Sequence, residues 1–166
     1  MTGLDLMRPG AFRKLSSGER ALVDEVFGGT VATGRVRIFA VPVWNRAFVA
    51  GGGLIVWPAR TAAQDFATAP LEEQAVFVHE IMHVWQAQTG VNLILGKLRA
   101  GDGAQAYSYD LTGDRDFSSL NIEQQAMIVQ DAFLAARGGF APHESHAYSV
   151  ILATWRRQAD VNPREV

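Results

Sequence analysis

His79-Glu80-Ile81-Met82-His83 lies inside the run Ala75-Val76-Phe77-Val78-His79-Glu80-Ile81-Met82-His83-Val84-Trp85-Gln86 and decides how this chain is read. Residues four apart on a helix share a face, so both imidazoles can reach one metal ion. Glu80 then stands beside that ion, where a carboxylate can take a proton from an activated water. Positions 76–78, 81, 82, 84 and 85 are all uncharged and mostly bulky. A helix lined in this way is packed inside a domain. Two imidazoles and a carboxylate are costly to bury there unless they share a ligand. The competing reading is two core histidines, with Glu80 paired elsewhere.

The spacing is the HExxH arrangement of zinc peptidases, in which the two histidines hold the ion and the glutamate is the general base. The whole chain is compatible with it. A length of 166 residues predicts one domain, set at 16–160, and 48% hydrophobic residues suffice for a core. Residues 1–15 read as a flexible arm and 161–166 as a polar tail. Fifteen basic residues against 17 acidic ones give a net charge of −2, which argues against nucleic acid or an anionic membrane as the main partner. Cysteine is absent. Disulfides, thiolate ligands and thiol catalysis are therefore excluded, and any metal is held by histidine and carboxylate. The opening Met1-Thr2-Gly3-Leu4-Asp5-Leu6 has no apolar signal core, and no apolar run is long enough for membrane insertion. The expected location is the cytoplasm, or outside it by a route that needs no cleavable signal.

Local signals divide the chain into α and β segments. Ser16 or Ser17 caps a short helix to about Phe27, ended by Gly28-Gly29. Val36–Val41 reads as a strand, Ala50–Gly53 as a turn, and Leu54-Ile55-Val56-Trp57 as a second strand stopped by Pro58. Pro70, Glu72 and Glu73 open the motif helix, about 71–89. Residues 90–118 read as irregular, with a short apolar turn at 91–98. Ser119 or Asn121 caps a helix over 122–136, and a last helix covers about 142–157. The fold class is α+β, with a small sheet packed on the motif helix and further helices after it. Leu54, Ile55, Val56 and Trp57 are the expected edge strand, able to pair with an extended substrate.

A catalytic zinc usually takes three protein ligands and keeps one position open. Gln86 and Thr89 occupy the positions where a metzincin carries glycine and a third histidine, so that class is excluded. Glu123 is the selected third ligand, near the start of the helix in Asn121-Ile122-Glu123-Gln124-Gln125-Ala126. His143 and His146 are the rivals. Asp131, a turn beyond Met127, could orient a ligand histidine. Tyr107, Tyr109, His143, His146 and Tyr148 are candidate oxyanion donors, between which the sequence does not choose.

Together, Leu15-Ser16-Ser17-Gly18-Glu19, Val26-Phe27-Gly28, Val36-Arg37-Ile38, the motif run, Tyr109-Asp110-Leu111 and the Glu123 segment resemble a known group. It is the small bacterial zincin-like proteins of gluzincin type labelled vgr-related or Rhs-associated, found beside contractile injection (type VI-like) secretion genes. The likeness covers about residues 15–137. It implies a minimal zincin fold, a carboxylate third ligand and a link to secretion machinery. The expected activity is zinc-dependent hydrolysis of a peptide or protein substrate. The alternative is a non-catalytic adaptor or structural accessory of the secretion apparatus, with apparatus proteins as partners.

Overall fold

Ser16-Ser17-Gly18-Glu19 does what its spacing predicts. In the computed structural model, which describes residues 5–113 and 115–161 (158–161 by backbone alone), it opens helix α1, Ser17–Phe27. The Ser16 hydroxyl accepts from the Glu19 N–H at 2.9 Å, and the Glu19 carboxylate accepts from the Ser16 N–H at 2.8 Å. This reciprocal cap satisfies two of the helix's orphan donors. Gly28, at φ 60°, ends the helix in the left-handed conformation that glycine adopts without cost. After Leu93 the chain divides into two compact units.

The first unit is mixed. Its strands are β1 (Phe12–Lys14), β2 (Arg37–Val41), β3 (Phe48–Ala50) and β4 (Leu54–Pro58), and its second helix is α2 (Leu71–Gln88). The sheet order is β1-β2-β4-β3. β2 and β4 run parallel with Ile38 opposite Ile55, while β1 and β3 are antiparallel to their neighbours. Ile38, Ala40 and Ile55 are fully buried. Trp57 of β4 meets Phe66 at 4.3 Å between ring centroids, and Phe66 stacks on Phe77 of α2 at 5.2 Å. That aromatic column fixes the motif helix to the sheet. The rest of its buried surface is Ala75, Val78, Ile81, Met82 and Val84.

Two expectations are corrected here. Leu54, Ile55, Val56 and Trp57 do not form an edge strand, because β4 lies between β2 and β3. β3 is only three residues long and runs into Gly51-Gly52-Gly53, so no alternating pattern announced it. Residues 5–15 are not a loose arm. Leu6 bridges to Ala63, β1 pairs with β2, and Met7 and Leu15 are buried. The cause is a clasp around Glu19, which is fully buried. Its carboxylate takes Arg13 Nη1 at 2.7 Å and Nη2 at 2.6 Å, and the Phe66 N–H at 2.8 Å. Bidentate pairs of this kind are geometrically specific. Glu19→Ala leaves the Arg13 guanidinium without its carboxylate in a largely buried place. It is expected to cost about 3–5 kcal/mol, read as a drop in the urea midpoint.

The second unit is helical. It comprises α3 (Leu93–Ala100), α4 (Ala104–Tyr107), α5 (Ile122–Ala136) and α6 (Ser145–Val161). Asn121 caps α5 reciprocally with Gln124, so that helix has the bounds its sequence predicts. Phe117 stacks on Trp155 at 5.4 Å over a core that includes Ile128, Val129, Phe133 and Ile151. Residues 90–118 are less irregular than expected. α3 was obscured by Gly96 at its centre, which lowers helix propensity by about 1 kcal/mol. The last helix begins at Ser145 rather than Pro142 and runs on to Val161. Val161, expected as the first residue of the tail, ends this helix, and the rest of that tail, 162–166, lies outside the described residues.

Candidate metal centre

α2 places His79 and His83 one turn apart on one face, both buried. Their Nε2 atoms are 3.2 Å apart, and the rings meet edge-on at 78°. Two imidazole nitrogens on a tetrahedral zinc, at 2.0–2.1 Å each, sit about 3.3 Å from one another. The spacing therefore fits two donors converging on one ion. His83 Nδ1 is 2.8 Å from Gln86 Oε1. A carbonyl oxygen there accepts the Nδ1 proton, which leaves the His83 Nε2 lone pair for a metal. Gln86 is fully buried, and the sequence reading used it only to exclude a class. The signal that could have found it is its place three residues after His83, on the same helical face. Glu80 is also buried, and its Oε2 has no hydrogen-bond partner among the described residues.

In the second unit, Glu123 stands in the first turn of α5, where the helix N-terminus favours a carboxylate. It is buried, with Lys97 Nζ 3.5 Å from its Oε1. Imidazole nitrogens and carboxylate oxygens are the donor types that suit zinc.

The other candidates have different surroundings. His146 is exposed in the first turn of α6, and His143 is half-buried in the loop before it. Tyr109 donates its hydroxyl proton to Asp131, and its oxygen is 2.8 Å from the Tyr148 hydroxyl. Tyr148 must then donate to Tyr109, while its own oxygen accepts the His143 N–H at 3.3 Å. Burial, then the bond to Asp131, hold the Tyr109 phenol far above its ordinary pKa; burial and the Asp131 charge raise Tyr148 as well. Both phenols thus stay protonated with their protons committed inside this unit. Tyr107 is half-buried on α4.

Comparison with known proteins places the chain. No family model matches it. It is 34% identical over 137 residues, 75% of its length, to the type VI secretion system spike protein VgrG2b of Pseudomonas aeruginosa, of which it spans 13%. The solved effector domain of the same VgrG2b superposes with a TM-score of 0.69 at 30% identity, covering 93% of this chain and 88% of that domain. No helix among the described residues is long and apolar enough to cross a membrane. With that identity over nearly the whole of both, the chain belongs to the family of the VgrG2b effector domain.

Proposed function

We propose that this chain is a zinc-dependent peptidase of minimal zincin type, acting as an effector in a type VI secretion context. The observation that carries the reading is the convergence of His79 and His83 on α2, whose buried Nε2 atoms lie 3.2 Å apart, with the buried Glu80 and its unengaged Oε2 next in sequence to one of them. A zinc ion held by His79, His83 and Glu123, the carboxylate on the capped helix α5, would polarise a scissile carbonyl and acidify a water molecule. The Glu80 carboxylate would serve as the base for that water and as the proton donor to the leaving amine. Gln86 would keep His83 in the tautomer that presents Nε2. The substrate is a peptide or protein. The partners are components of the secretion apparatus, because a spike protein carries a segment similar to this chain.

The second reading is a non-catalytic accessory of that apparatus, favoured by the same likeness to a spike protein. An accessory has no use for a buried glutamate with an unengaged oxygen beside two histidines. Freshly purified protein is expected to hold one zinc per chain and to cleave members of a broad peptide library. Chelation should abolish the cleavage and added zinc should restore it. Protein that takes up no zinc overturns the metal reading. Protein that binds zinc but cleaves nothing selects the accessory.

A further inference from the structure

We propose that Lys97 is the internal counter-cation of Glu123 and competes with the metal ion for that carboxylate, an inference that rests on the zinc reading above. Glu123 is 3% exposed at its side chain and Lys97 is 46% exposed, with 3.5 Å between Nζ and Oε1. One partner is fixed and buried; the other reaches in from water. The separation exceeds the usual 2.7–3.2 Å of an N–H···O bond. Charge attraction rather than a fixed hydrogen bond therefore holds the ammonium, and it can leave without dismantling local structure.

Gly96 is the reason Lys97 reaches this place. A Cβ at Gly96 would fall 2.8 Å from Ile122 Cδ1, 3.1 Å from Cγ2 and 3.3 Å from Cγ1. A Cβ there would force the Ile122 side chain to shift, so glycine lets α3 run this close to the first residue of α5 without disturbing it. The next residue of α3 then brings its ammonium beside the next residue of α5, which is Glu123. The helix, Leu-Ile-Leu-Gly-Lys-Leu-Arg-Ala, accepts a central glycine for that approach.

A buried carboxylate needs a positive partner. In the metal-free protein the α5 N-terminus supplies a partial charge and Lys97 a full one. A divalent ion on the same carboxylate repels the ammonium, and the half-exposed side chain moves to solvent. α3 carries no acidic residue to receive it. Lys97 thus steadies the empty ligand set and lowers its affinity for the ion.

The test compares zinc affinity, by competition with a chromogenic chelator, in wild type, Lys97→Met and Lys97→Arg, alongside the melting temperature of each with and without zinc. Lys97→Met is expected to bind zinc about fivefold more tightly, the weight of a half-exposed ion pair. It should lower the melting temperature of the metal-free protein only. Lys97→Arg should restore wild-type values on both counts. Lys97→Met that binds zinc equally or more weakly, beside a wild type that binds it, overturns the role of Lys97 and leaves the zinc reading standing. A wild type that takes up no zinc sinks the zinc reading and this inference with it.

Discussion

Glu80→Gln is expected to keep one zinc per chain and the native fold, while peptide hydrolysis falls by about 10²–10⁴-fold. The amide matches the carboxylate in size, so packing around a 5%-exposed side chain is undisturbed. In the proposed site Glu80 is the base and not a ligand, so its charge is not needed to hold the ion. What the amide lacks is a basic oxygen able to accept the proton of an attacking water. Zinc content by elemental analysis, far-ultraviolet circular dichroism and turnover of one cleaved peptide, measured on the same preparation, separate binding from chemistry. Undiminished cleavage by Glu80→Gln rules out the general-base role. Loss of zinc in the variant instead makes Glu80 a ligand.

Replacing the ligands gives the other large effect. His79→Ala, His83→Ala and Glu123→Ala are each expected to weaken zinc by more than the roughly 100-fold seen on losing a residue that merely orients a ligand. Each removes one of only three donors. His143→Ala and His146→Ala are expected to leave zinc affinity at the wild-type value, since His146 is exposed and the His143 ring lies against Tyr109 and Tyr148. Parallel titrations decide the matter. Retention of zinc by Glu123→Ala together with its loss in His143→Ala or His146→Ala replaces the carboxylate by a third histidine.

Legibility tracked how local each signal was. The bounds of α5 were readable to the residue because Asn121 and Gln124 cap it within one turn. α1 was readable for the same reason, through Ser16 and Glu19. β3 and α3 were not. Three residues ending in a glycine run carry too few alternations to mark a strand. A helix with glycine at its centre and Ile94 and Leu98 about three-quarters exposed reads as a loop. Both elements exist because of what they pack on: β3 on β4, and Gly96 on Ile122.

The candidate site divides along the same line. His79, Glu80 and His83 were legible because a helix converts a spacing of four residues into a shared face, whatever surrounds it. Glu123 was selectable as a carboxylate on a capped helix. Gln86 beside His83 is a contact within one helix that the three-residue spacing could have flagged. Lys97 beside Glu123 and the commitment of both phenols to the Asp131 chain emerged from tertiary structure alone. The sequence by itself determined the shared face of His79 and His83, the adjacent Glu80 carboxylate and the helices that carry the candidate residues, since these follow from local geometry and capping. Only the folded chain decided which strand is interior, which tyrosines are engaged and which cation faces the carboxylate. Those depend on contacts between residues far apart in sequence, where burial and charge, rather than spacing, set the energy.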